Sequence, residues 1–264
     1  MTRYVRFSLD ASTPPTTRDP DPAVKYGIVD GGTVFETAGA FSDERTGASF
    51  SLTRVRLLPP CSPTKIVCVG RNYPDHAAEL GNEPPAEPII FLKPPSALLA
   101  HGDAIQCPAI SRLVSYEGEL GVVIGRQARH LRPEQAAGAV FGYTCVNDVT
   151  ARDLQRKDHQ WTRAKGFDTF CPVGPWIVPR DELTLGEVRV RTYVDDKKVQ
   201  DAPITDMLFS VDDIIAFVTE FMTLEPGDLI ATGTPPGVGP LEPGAQVQVL
   251  VEGVGTLQNH VAGR

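Results

Sequence analysis

Two glutamates separated by one glycine carry the first chemical signal in the chain. In Tyr116-Glu117-Gly118-Glu119-Leu120-Gly121-Val122-Val123-Ile124 the second half is apolar and β-branched, so the segment reads as a strand. Residues two apart on a strand share a face, which sets the Glu117 and Glu119 carboxylates side by side beside a segment that must be buried. Like charges so placed repel, and burial adds a desolvation cost. A cation reverses both penalties, and an all-oxygen donor set suits a hard divalent ion such as Mg²⁺, Mn²⁺ or Ca²⁺. The alternative is an exposed strand edge with two solvated carboxylates.

A third carboxylate strengthens the first reading. The strand-like run Phe141-Gly142-Tyr143-Thr144-Cys145-Val146-Asn147 ends at Asp148, and Arg152 and Asp153 follow on a helical turn. Three acids at two strand ends can hold one side of an octahedral ion and leave room for water and substrate. As a lone residue, Asp148 reads equally well as a helix cap. Upstream, His76 and Glu79 lie three apart on a short helix and share a face. A carboxylate beside an imidazole fixes its tautomer and raises its basicity, as a general base requires; a surface contact is the competing reading. Lys165 stands among aromatics in Trp161-Thr162-Arg163-Ala164-Lys165-Gly166-Phe167, placed to balance carboxylates, to meet a substrate acid, or to be a surface cation. In Thr232-Gly233-Thr234-Pro235-Pro236-Gly237 the backbone N–H groups and the Thr234 hydroxyl can hold a carboxylate, unless the loop is only a tight turn. It lacks the Gly-Lys-Ser/Thr ending of a phosphate loop. His101, His130, His159 and His260 have no comparable company and read as structural or solvated.

Short elements must position these groups. Glycine and proline, 24 each, cut the chain into short segments and favour strands and turns over long helices. Lys25–Val29 and Thr33–Glu36 flank Asp30-Gly31-Gly32 as a hairpin, and Thr13–Pro22, with its prolines, reads as an exposed loop. Leu58-Pro59-Pro60-Cys61-Ser62-Pro63 reads as a stiff linker. The expected organisation is a small β-containing N-terminal domain over residues 1–60 and a catalytic domain over 61–264. Lys65–Val69, Pro88–Leu92, Leu120–Ile124 and Gln246–Val251 read as strands. Pro74–Leu80 reads as a short helix capped by Asn72 and ended by Gly81, and Val211–Met222 as an amphipathic helix facing the core.

Composition narrows the class. The 264 residues carry 33 acidic and 25 basic side chains, a formal net charge of −8, which argues against nucleic acid or anionic membranes as partners. No apolar run approaches the roughly 18–20 residues of a membrane span, and the first residues do not read as a secretory signal. The five cysteines form no Cys-x-x-Cys pair, so neither a disulfide framework nor a structural zinc site is expected. A cytoplasmic protein is the expectation.

The separate signals meet in one pattern. Gly70-Arg71-Asn72-Tyr73 with His76 and Glu79, Phe91-Leu92-Lys93-Pro94, Glu117-Gly118-Glu119-Leu120, Asn147–Asp153, Lys165-Gly166-Phe167-Asp168 and Thr232-Gly233-Thr234-Pro235, in that order, resemble the fumarylacetoacetate hydrolase family over about Pro63–Val251. The resemblance implies a mainly β fold, a mixed β-sandwich roll with few short helices, and a homodimer. It implies metal ligands at Glu117, Glu119 and Asp148 holding Mg²⁺ or Mn²⁺, with Ca²⁺ as a stand-in in crystals. It implies a His76–Glu79 dyad on a lid segment, an active-site Lys165, and substrate contacts at Gln155 and Thr234; Arg71, Lys93 and Gly233 lie in matching blocks as further substrate-binding residues. The stretch from Gln155 to Trp176 is similar to the bacterial branch often labelled 2-hydroxyhepta-2,4-diene-1,7-dioate isomerase, which points toward aromatic-derived dicarboxylic acids.

The expected activity is metal-dependent chemistry on 2-oxo or β-diketo acids through an enolate. C–C hydrolysis of the acylpyruvate or fumarylpyruvate type and isomerisation lead, with oxaloacetate decarboxylation as the alternative. A non-catalytic, metal-binding dimer is the alternative of another class. It is disfavoured because a dead copy would be free to lose His76, Glu79 or Lys165, and all three are present.

Overall fold

The computed structural model describes residues 1–262; residues 263 and 264, the end of the expected catalytic domain, lie outside the described residues. The fold is mainly β. One long mixed sheet runs in the order Arg45–Ser51, Thr33–Thr37, Lys25–Asp30, Tyr4–Ser8, Cys171–Pro179, Val140–Asn147, Gly118–Ile124, Leu229–Ala231, Ile66–Gly70 and Ile89–Lys93. A second sheet, Lys197–Pro203, Arg189–Val194, Gln246–Val251, Gly255–Val261 and Ala104–Ile105, packs across its middle.

The central strand Gly118–Ile124 is buried along its whole length, so both of its faces need apolar cover. Leu120, Val122 and Ile124 face a core shared with Val190, Val249, Val251 and Leu257 of the second sheet and with Ile214, Ile215 and Val218 of the helix Val211–Phe221. The other face carries Val123, which packs with Ile66, Cys68, Val146, Val173 and Leu229. By strand alternation Glu117 and Glu119 belong to this second face. The apolar layer therefore gives way to acids at one end of the sheet.

The hairpin Lys25–Asp30 to Thr33–Thr37 forms as read from the sequence, and Gln246–Val251 is the expected strand. Two local readings change. Asn72 does not cap the helix Pro74–Glu79, whose cap position is Tyr73 with no side-chain bond. The Asn72 amide is fully buried and serves three backbone groups instead: it donates to the carbonyls of Phe209 at 3.0 Å and Thr232 at 2.8 Å and accepts from the Phe209 N–H at 2.9 Å. The other concerns Leu58–Pro63, read as a stiff linker, which is packed against the sheet at its start. Leu58–Cys61 is buried, because Arg56–Leu58 pairs with Tyr4–Ser8, which in turn pairs with Cys171–Pro179. Cys61, Cys68, Cys145 and Cys171 are buried thiols. No helix among the described residues is long and apolar enough to cross a membrane.

Candidate active site

The antiparallel pairing of Gly118–Ile124 with Val140–Asn147 brings the acids together, since Gly118 lies opposite Asn147. One step beyond that pair, the Asp148 N–H donates to the Glu117 carbonyl at 2.8 Å, and the Glu117 N–H donates to the Asn147 side chain at 2.9 Å. Each of Glu117, Glu119 and Asp148 offers a carboxylate oxygen within 4.8 Å of the other two, and all three residues are buried.

Three cations are threaded into this cluster. Lys165 Nζ donates to Glu117 and to Asp148, each at 2.7 Å. Lys93 Nζ donates to Asp148 at 2.6 Å and to the Val149 carbonyl at 3.1 Å, and the Arg152 guanidinium meets Glu117 at 2.5 Å. Arg152 also donates to Gln155 Oε1 at 2.9 Å, since the two share one face of the helix Arg152–Lys157. Burial alone would raise the Glu117 carboxyl, but Arg152 and Lys165 overcome it and hold the group far below the carboxylate range. Burial likewise opposes the charge on Lys165, and Asp148 and Glu117 more than restore it.

Glu119 is different. Its only partner among the described residues is the Gly233 N–H, which donates to Oε2 at 2.8 Å. Burial, followed by the charges of Asp148 and Glu117, pushes its carboxyl well above the usual range. Gly233 takes φ of +100°, and a Cβ there would come within 2.7 Å of Asn72 Cβ, so only glycine presents its N–H at this point. Three convergent hard oxygens, one of them without a counter-charge, fit a divalent cation: Glu117, Glu119 and Asp148 would hold it, and it would supply the charge that Glu119 lacks.

His76 and Glu79 line the same cavity of about 330 Å³ as Glu117, Glu119 and Lys165. The His76 Nδ1 is 3.2 Å from Glu79 Oε2, and both Glu79 oxygens accept from the Gly237 N–H at 3.2 Å. Burial lowers the imidazole pKa, partly opposed by Glu117 and by the Glu79 hydrogen bond, so His76 is neutral at pH 7.

The remaining candidates divide by position. Arg71, Gln155 and Thr234 line the cavity. The Thr234 hydroxyl already donates to the Gly118 carbonyl at 2.9 Å and accepts from Gln200 Nε2 at 2.8 Å, while the Gly233 N–H and Lys93 Nζ are engaged by Glu119 and Asp148. The sequence reading passed over Arg152 as a partner of the acids. No local pattern marks it, because the pair with Glu117 joins residues far apart in the chain.

Residues 65–262 match the family described as Fumarylacetoacetate (FAA) hydrolase C-terminal, and residues 2–60 match Rv2993c-like, N-terminal. Protein Rv2993c of Mycobacterium tuberculosis is 50% identical over 220 residues, 82% of each chain. Oxaloacetate tautomerase YisK of Bacillus subtilis is 40% identical over 233 residues, 83% of this chain and 77% of that one. Among solved structures, 2-hydroxyhepta-2,4-diene-1,7-dioate isomerase from Mycobacterium marinum is 42% identical with a TM-score of 0.87, covering 99% of this chain and 98% of its own. Fumarylpyruvate hydrolase from Pseudomonas aeruginosa, solved with Mn²⁺ and pyruvate, is 33% identical with a TM-score of 0.73, covering 77% and 91%. The chain belongs to the fumarylacetoacetate hydrolase family.

Proposed function

We propose that this enzyme acts on 2-oxo or β-diketo acids by a metal-assisted route through an enolate, with C–C hydrolysis of an acylpyruvate or isomerisation of an unsaturated oxo diacid as the reaction. The observation that carries this reading is the meeting, in one cavity, of Glu117 and Glu119, on which Asp148 converges from behind, with a buried histidine held by the Glu79 carboxylate. The ion is Mg²⁺ or Mn²⁺, supported by the hard oxygen donors and by the Mn²⁺ in the Pseudomonas hydrolase structure. When bound, it would supply a Lewis acid for the oxygens of a 2-oxo acid.

The chain's own groups do the rest. With Nδ1–H donated to Glu79, the tautomer assigned here, His76 keeps a lone pair on Nε2 and takes a proton from water or from a substrate carbon. Glu79 then steadies the imidazolium. Water activated in this way attacks the distal carbonyl of a β-diketone, and the C–C bond breaks toward the oxo acid. Lys165, fixed between Glu117 and Asp148, adds positive charge where the enolate forms.

The same residues can move a proton between carbon and oxygen without an attacking water. This favours a second reading, keto–enol tautomerisation of oxaloacetate, the activity named for the Bacillus relative. Decarboxylation of the same acid uses the same enolate. A chromatographic and spectrophotometric assay with Mn²⁺ against acetylpyruvate, fumarylpyruvate and oxaloacetate separates the three, and turnover of none of them removes the enzyme reading. As read here the enzyme is a cytoplasmic homodimer. The apolar edge strand Ile89–Lys93, with Leu92 exposed, supports a dimer, and light scattering of the purified chain tests it.

A further inference from the structure

Among the described residues, every lysine and arginine at the acid cluster and its cavity but two is matched. Lys93, Lys165 and Arg152 each pair with Glu117 or Asp148. Arg71 and Arg156 line the same cavity, and neither guanidinium has a hydrogen bond or ion pair to any described residue. The paired groups are buried, whereas Arg71 is half-buried and Arg156 exposed, so the two unmatched guanidiniums stand toward the mouth.

An aromatic wall connects the mouth to the acids. The Lys165 ammonium lies 5.0 Å from the centre of the Phe91 ring, Phe91 meets Trp161 edge-on at 5.2 Å, and the Arg71 guanidinium lies 5.9 Å from the Trp161 ring. Two backbone features hold Arg71 there. It takes φ of +57°, a left-handed conformation costly for a residue with a Cβ, and such strain concentrates at ligand sites. Its neighbour Gly70 leaves room for the indole: a Cβ at Gly70 would lie 2.8 Å from Trp161 Cζ3. Trp161 is thus a positioning residue for Arg71.

From this arrangement we propose that Arg71 and Arg156 form a distal anion subsite that makes the enzyme selective for linear dicarboxylates. The oxo-acid end would lie toward Glu117, Glu119 and Lys165, the chain along Phe91 and Trp161, and the second carboxylate between the two guanidiniums. The inference rests on the reading of the cavity as an oxo-acid site and adds the chemistry of the far end. Guanidinium is suited to the part because its planar fork matches a carboxylate and stays charged at every relevant pH.

The test uses two unreactive ligands of equal chain length, 2-oxohexanedioate and 2-oxohexanoate, titrated calorimetrically into the full-length protein with Mn²⁺. The wild type is expected to bind the diacid at least about tenfold more tightly, the size of one charge-assisted hydrogen bond. Arg71→Leu and Arg156→Leu each lower that ratio, and the double variant brings it near one. Arg156→Lys keeps most of the preference, and Trp161→Leu weakens the diacid more than the monoacid. Equal affinities in the wild type, or an undiminished ratio in the double variant, overturn the distal subsite and leave the oxo-acid reading standing. Binding of neither ligand overturns both.

Discussion

Glu119→Gln separates the cost of the acid cluster from its purpose. The Gln amide keeps the shape of the carboxyl, and its oxygen can still accept from the Gly233 N–H now 2.8 Å from Glu119. What disappears is the third charge, which burial, Asp148 and Glu117 all oppose. The folded-state pKa of Glu119 is raised, so above the unfolded value the native state carries a penalty that the unfolded chain does not. Removing it should stabilise the metal-free protein at pH 7 by about 2 kcal/mol, the scale of a buried polar group with incomplete partners. For a chain of this length that is a rise of about 4–8 °C in melting temperature. With a divalent ion the order reverses. The wild type gains about 2.7 kcal/mol at a free ion concentration a hundred times Kd, and the variant, with one ligand fewer, gains far less. Differential scanning fluorimetry of both proteins, in EDTA and in millimolar Mn²⁺, reads the two effects together. A Glu119→Gln protein that melts below the wild type in EDTA, or that Mn²⁺ stabilises equally, would refute the electrostatic account of the triad.

Other perturbations address the rest of the site and the scaffold. His76→Ala should reduce kcat/KM by about 10²–10⁴ while leaving Mn²⁺ affinity unchanged, as the proposed role of base rather than ligand requires; a matching loss of Mn²⁺ binding contradicts that role. Because a base must be neutral, activity should fall on the acid side through a pKa below the ordinary 6.5, and Glu79→Gln, which removes a group that raises it, should carry that limb to lower pH still. Lys165→Met leaves Glu117 and Asp148 short of a counter-charge in a buried site and should cost about 3–5 kcal/mol in metal-free urea unfolding, partly recovered with Mn²⁺; wild-type stability in EDTA would show the pairing to be idle. On the second sheet, burial opposes the Asp201 charge, but hydrogen bonds from Lys198 and Arg189 win and hold its pKa at about 2. That depressed value contributes stability above the unfolded value of 3.8 that is lost as pH falls toward 2, so an Asp201→Asn deficit of about 0.5–1 kcal/mol at pH 7 should vanish in acid, and a pH-independent deficit would reject the linkage.

What was legible in the chain was whatever local period or composition determines. Glu117 and Glu119 could be placed on one face because a strand alternates whatever surrounds it, and the helix read over Val211–Met222 could be drawn because its apolar stripe repeats at helical spacing; the structure ends it at Phe221. The hairpin Arg189–Val194 to Lys197–Pro203 escaped notice. Its turn uses Asp195 and Asp196 at φ of 48° and 62°, where glycine or asparagine is the usual marker. The role of Asn72 was misread for a related reason. A residue before a helix looks like a cap in one dimension, but this amide is taken by Phe209 and Thr232, far along the chain. Arg152 and Lys93 were hidden as partners of the acids because ion pairing between sheet ends leaves no sequence period at all.

The pattern of pairing explains how one site can be both stable and reactive. A bare cluster of three buried carboxylates would unfold its own surroundings, yet Lys93, Lys165 and Arg152 pair with Glu117 and Asp148 and leave only Glu119 exposed to the repulsion. The cluster therefore tolerates the absence of an ion while leaving Glu119 as the one acid without a counter-charge. Because Lys165 bridges Glu117 and Asp148, any shift of those carboxylates toward a cation would also move its ammonium. On the proposed mechanism, charge placement for catalysis and charge placement for folding are the same bonds. On that mechanism, the reaction would be decided by whether a water has room beside His76, a question of what fills the cavity between Glu79 and Trp161 and not of the acids themselves.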